Sequence, residues 1–161
     1  MRIKLNSALL LAAALGILAG CSTDTPTGVE DIACHDFLLE YGAATGDTVT
    51  ASQGLRYIEI EPGAGTEAAQ GMTVDVNYSG YLLNGTLFGT SCSSSEPVLR
   101  VTLGANQVIP GFDLGIRGMR PGGVRRIIVP PELGYGNVAN GPIPANSTLV
   151  FDLQLTSIFI Q

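Results

Sequence analysis

Five aromatic side chains, Tyr78, Phe88, Phe112, Tyr135 and Phe151, stand at the centre of five separate segments of this 161-residue chain. Two of those segments are Val108-Ile109-Pro110-Gly111-Phe112 and Gly134-Tyr135-Gly136. None pairs a nucleophile with a base, and none gathers metal ligands. Brought together, they would form an apolar cup with a few polar handles. Such a cup suits a reaction that needs a shaped, dry environment rather than acid, base, metal or cofactor. Other chemistry is thin. His35 is the only histidine, and beside Cys34 it has no further ligands at metal spacing, so a surface or structural role is the better reading. The serines at 93 to 95 have no histidine in a triad pattern and read as loop. Pro62-Gly63-Ala64-Gly65 is a turn and not a phosphate loop, because no Lys follows it. Arg117, Arg120, Arg125 and Arg126 are expected to be solvated or paired with carboxylates.

A sheet must position the rings. From Leu55 onward the apolar period is two: Val74, Val76 and Tyr78 share one face, as do Leu149, Phe151, Leu153 and Leu155, with Asp152, Gln154 and Thr156 alternating between them. Half-buried antiparallel strands are predicted at Leu55 to Glu61, Thr73 to Leu82, Val98 to Leu103, Val124 to Val129 and from Leu149 on. Asn84-Gly85 marks a hairpin turn. Pro110 to Arg117 is the one convincing helix, with Pro in its first turn and Gly118 as its stop. The expected class is α+β, an antiparallel twisted sheet of about five strands wrapped on one short helix, and roughly 110 residues suffice for its single core.

The order of the segments resembles the FKBP-type peptidyl-prolyl cis/trans isomerases. The likeness is carried by Val74-Asp75-Val76-Asn77-Tyr78-Ser79-Gly80, Gly85-Thr86-Leu87-Phe88, Leu103-Gly104 and Val108-Ile109-Pro110-Gly111-Phe112. It continues through Gly118-Met119-Arg120-Pro121-Gly122, Arg126-Ile127-Ile128-Val129-Pro130, Leu133-Gly134-Tyr135-Gly136 and Ile143 to Asp152, in unbroken order. The resemblance implies that Tyr78, Phe88, Phe112 and Phe151 wall a proline pocket, with Leu99, Val108, Ile109 and Ile143 at its rim. It further implies that the Ile109 N–H and the Tyr135 hydroxyl donate to substrate carbonyls. Proline-containing polypeptides would be the substrates, with no cofactor and no metal. Two departures stand out. Where the family commonly has Asp after Phe88, this chain has Gly89, and where it usually has Trp at the pocket floor, this chain has Phe112. A proline-peptide-binding module or chaperone without useful turnover therefore stays open beside the isomerase, as does an adhesion or interaction protein working through residues 31 to 53.

The start of the chain is of another kind. Residues 1–20 read as a signal peptide: Arg2 and Lys4, then a short apolar run from Ala8, ending in Leu18-Ala19-Gly20-Cys21. That run is shorter than the roughly 20 residues a permanent span needs, and its end resembles the bacterial lipobox, with Cys21 as acceptor for lipid. Residues 21–30 then form a lipidated tether, 31–52 an N-terminal extension and 53–161 the isomerase-like domain. Lipid on Cys21 would be the only membrane contact and would place the protein in a bacterial cell envelope; Ser22 resembles the pattern of lipoproteins sent to an outer membrane. Losing Arg2 and Lys4 leaves six Arg, no Lys and fourteen acidic residues, a balance that repels nucleic acid. No dimerisation motif is visible, so a monomer is the default. With Cys21 lipidated, Cys34 and Cys92 remain as a candidate disulfide in an oxidising compartment.

Overall fold

A computed structural model describes residues 48–91 and 98–160. Cys21, Cys34, His35, Cys92 and the serines at 93 to 95 lie outside the described residues, as do the signal, the tether and most of the extension.

The described elements, in chain order, are β1 (Val49–Thr50), β2 (Arg56–Glu61), β3 (Thr73–Leu82), β4 (Leu87–Thr90), β5 (Leu99–Thr102), α1 (Pro110–Ile116), β6 (Val124–Val129) and β7 (Leu149–Phe159). All neighbours pair antiparallel, in the order β1-β2-β6-β7-β3-β4, with β5 also on β3. The five strands expected from alternation are all present. Two short ones complete a sheet of seven: β4, and β1 from within the segment read as extension.

β4 and β5 share one edge of β3. Gly80 pairs with Gly89 on β4, while Val74 pairs with Val101 on β5. Between them the ladder is finished by Ser91, whose N–H donates to the Tyr78 carbonyl (3.0 Å) and whose hydroxyl accepts the Tyr78 N–H (2.8 Å). The turn from β3 to β4 uses Gly85 at φ +85°, a conformation that favours glycine, closed by Leu82 N–H to Thr86 O at 2.9 Å.

The inner face of the sheet holds the core. Val74, Val76, Ile127, Val129, Leu149, Leu153 and Leu155 are fully buried there with Phe112 and Ile116 of α1. The helix lies close because glycines face the sheet: a Cβ at Gly115 would stand 2.7 Å from Ile127 Cδ1. Pro110 occupies the first helical position and Asp113 the first turn, where its Oδ2 accepts the Gly104 N–H (2.6 Å) and its Oδ1 the Arg117 Nε–H (2.8 Å). At the other end Arg125 Nη1 donates to the carbonyls of Gly115 (2.9 Å) and Arg117 (3.0 Å), capping the helix, while its guanidinium pairs with Glu59 and stacks over Tyr57 at 4.3 Å. The four arginines are all paired: Arg117 with Asp113, Arg120 with Glu67, Arg125 with Glu59 and Arg126 with Asp152.

The outer face carries a polar row. Arg126 makes a bidentate pair with Asp152 (2.7 and 3.0 Å), and Asn77 Nδ2–H donates to Gln154 Oε1 (3.4 Å). Burial pushes the Asp152 carboxyl above its ordinary range, against the pull of the Arg126 guanidinium.

Candidate active site

Alternation along β3 turns Tyr78 inward, β7 does the same for Phe151, the β3–β4 hairpin brings Phe88, and α1 supplies Phe112. The four rings meet edge to face. Phe151 lies 5.3 Å from Phe112 and 5.5 Å from Phe88, both at 87°, and Tyr78 lies 5.6 Å from Phe112 at 89°. Such pairs contribute about 0.5–1.5 kcal/mol each beyond their burial, so the cluster is a rigid wall. Gly80 makes it possible, because a Cβ there would stand 2.7 Å from Phe88 Cε2 and 2.9 Å from Phe151 Cε1.

Over these rings opens a cavity of about 390 Å³. Every ring and rim residue singled out in the sequence borders it: Tyr78, Phe88, Leu99, Val108, Ile109, Phe112, Tyr135, Ile143 and Phe151. Gly89, Gln107, Asn140, Gly141 and Pro142 border it too; Gln107 and the 140–142 turn are not among the residues singled out by the sequence. The Gly141-Pro142 dipeptide was the available signal, as a turn directly before Ile143. That turn is held in both directions, Asn140 N–H to Ile143 O and Ile143 N–H to Asn140 O, each 2.9 Å, which seats Ile143 over the cavity, 5% exposed.

Among the described residues, no lining side chain is charged. The polar handles are few. Ile109 is the N-cap of α1, extended at φ −60° and ψ 148°; its carbonyl accepts the N–H groups of Phe112 (3.0 Å) and Asp113 (3.2 Å). Its own N–H has no acceptor among the described residues. Tyr135 follows a single 3-10 turn, Pro131–Leu133, and is 38% exposed at the mouth. Gly89 leaves room where the family carboxylate would stand: a Cβ there would be 3.7 Å from Tyr78 Oη, ordinary contact. Phe112 forms the floor, 3% exposed.

A ring-walled cavity whose described lining is uncharged, with a backbone donor at Ile109 and the hydroxyls of Tyr78 and Tyr135, can bind, orient and dry a peptide segment. Among the described residues it holds no His or carboxylate placed for proton transfer.

Comparison with known proteins agrees with this geometry. The family profile described as FKBP-type peptidyl-prolyl cis-trans isomerase matches residues 65–156. The FK506-binding protein of Neisseria meningitidis serogroup B is 42% identical over 107 residues, covering 66% of this chain and 97% of that protein. Among solved structures, FkpA from Escherichia coli superposes with a TM-score of 0.63 at 38% identity, over 76% of this chain and 54% of that one. AtFKBP13 gives 0.64 at 32% identity, over 69% and 98%.

Proposed function

Because the chain belongs to the FKBP-type peptidyl-prolyl cis-trans isomerase family and is an enzyme of that class, we propose that its pocket accelerates X-Pro rotation by desolvation and orientation alone. Amide resonance sets the uncatalysed barrier near 20 kcal/mol. At the twisted midpoint resonance is lost and charge separation falls, so a dry apolar site favours that state over the solvated planar amide. In this reading the prolyl ring sits on Phe112 and Phe151, flanked by Tyr78 and Phe88. The Ile109 N–H and Tyr135 hydroxyl hold carbonyls of the bound chain, with Leu99, Val108 and Ile143 against its flanks. The observation that carries it is the uncharged lining, among the described residues, beside the open Ile109 N–H.

The test is an NMR exchange or protease-coupled assay on X-Pro peptides. Activity should be flat from about pH 6 to 8, since the described lining holds no His and no carboxylate. Tyr135→Phe, which keeps the ring and deletes one donor, should lower kcat/KM by about tenfold or less with little change in Tm. A wild-type chain that binds proline peptides yet leaves exchange at its uncatalysed rate would instead be a binding module.

We further propose that the enzyme works on exported polypeptides from a bacterial envelope, anchored by lipid on Cys21. The support is the Leu18-Ala19-Gly20-Cys21 sequence behind a positively charged apolar leader. Cys21→Ser should abolish partition into detergent. Mass spectrometry finding a mature N-terminus elsewhere would overturn it.

A further inference from the structure

A second cavity, of about 350 Å³, adjoins the first. The stretch 106–110 is the wall between them: Gln107 and Ile109 border the ring-walled cavity, Asn106 and Pro110 border the second, and Val108 borders both. That wall is one chain thick, about 4.8 Å by the spacing of neighbouring backbones, and an extended polypeptide clears it in two residues at about 3.3 Å each. The chemistry of the two cavities differs. Rings and aliphatic side chains dominate the first, whereas Gln53, Gln70 and Asn106 bring three carboxamides to the second, and none of the three makes a hydrogen bond among the described residues. Its one charged pair is internally balanced, because Asp113 accepts from Arg117 and from the Gly104 N–H. Gly104 keeps the groove open, since a Cβ there would stand 2.9 Å from Gln70 Cγ.

We propose that this second cavity is a subsite for the polypeptide flanking the bound proline, holding its backbone where the chain leaves the catalytic cavity over Val108. A carboxamide offers a C=O acceptor and N–H donors, the same complement as a peptide group. Three of them around one groove can therefore pair with an extended chain of any sequence. The balanced Asp113–Arg117 pair adds no preference for a charged flank. Contacts remote from the reacting bond can be spent on catalysis at that bond. The inference rests on the isomerase reading and adds a substrate class to it: prolines within extended chains, favoured over prolines in short peptides.

Exchange rates on three peptides test it: a four-residue X-Pro peptide, and the same peptide lengthened by four alanines at its N-terminal or its C-terminal end. One of the two extensions should raise kcat/KM by about fivefold or more, and because alanine carries no polar side-chain group the gain must come through the backbone. Gln70→Ala with Asn106→Gly removes two of the amides at exposed positions, and glycine suits the φ of +55° at 106. In that variant kcat/KM for the favoured long peptide should fall to within about twofold of the short one, whose own value stays unchanged. Equal rates for all three peptides would overturn the proposal, as would a gain that survives in the variant. NMR titration of the wild type gives a second readout, independent of turnover: the side-chain NH₂ signals of Gln53, Gln70 and Asn106 should move with the favoured long peptide and not with the short one. Signals that stay still with both long peptides, or move as far with the short one, refute the subsite. A short peptide left at its uncatalysed rate would instead sink the isomerase reading, and the titration would still decide the groove.

Discussion

At Gly80 an added methyl would meet two rings at 2.7 and 2.9 Å, closer than carbon atoms pack. Gly80→Ala should therefore push Phe88 or Phe151 off its edge-to-face contact. Overpacking of this kind costs about 1–3 kcal/mol, and since the displaced ring is a pocket wall, kcat/KM should fall by more than about tenfold. A thermal melt and an exchange assay on one sample check both. At Gly89 the opposite holds, because the space toward Tyr78 Oη is open. Gly89→Asp should fold normally and raise kcat/KM by up to about tenfold if the absent carboxylate limits orientation of the substrate; unchanged kinetics would mean that the pocket is complete without it. Titration belongs to this scale as well. Asp75 is held below its ordinary 3.8 by the hydrogen bond from Arg100, with burial opposing and the guanidinium charge adding to the shift. A carboxyl depressed in the folded state contributes stability above its unfolded pKa and loses it as pH falls through the folded value. Arg100→Gln should return the NMR-measured pKa of Asp75 toward 3.8 and remove that part of the acid sensitivity.

Between elements, Arg125 ties three things together: the last carbonyls of α1, Glu59 of β2 and the Tyr57 ring. Arg125→Met keeps the stem and deletes the guanidinium, leaving Glu59 without its cation and two carbonyls without a donor, a change expected to cost about 3 kcal/mol. Urea unfolding measures it, and a change below about 0.5 kcal/mol would show that water replaces the side chain. Element by element, the sequence was uneven in what it disclosed. β3 and β7 are long enough for alternation to repeat, so their inner faces, with Tyr78 and Phe151, could be read directly. β1 has two residues and β4 four, with Gly89 interrupting the pattern, and a period cannot be recognised over so few positions. The walls of the site were legible through the order of their segments. Gly80's part was not, since it consists in lacking a side chain between two rings that meet only in the folded sheet. Nothing local marks the Arg126–Asp152 pair, whose members are 26 residues apart, or the 140–142 turn as part of the mouth.

For the molecule as a whole, the proposed lipid on Cys21 and the candidate bridge between Cys34 and Cys92 bear on how the domain is held. Both cysteines of the bridge lie outside the described residues, yet Cys92 directly follows Ser91, which closes the β3 ladder at Tyr78. A bridge there would close a long loop and stabilise by about 4 kcal/mol in the chain-entropy model. Non-reducing peptide mapping should find the linked pair; two free thiols in the unfolded, unreduced protein would exclude it.

β7 lies in the middle of the sheet, between β6 and β3, yet it comes after every other strand in the chain. While the polypeptide is being made, β3 with its hairpin and β2 with β6 can only form two separate half-sheets, each with an unpaired edge and an uncovered apolar side. Phe151, on which the other pocket rings converge, arrives with that same strand. Stable structure thus waits for residues 149–159 to leave the ribosome, and contacts this distant in sequence form slowly. If the chain is exported as proposed, the delay would have a use, because a chain still missing its keystone strand has no compact form to jam passage through a membrane.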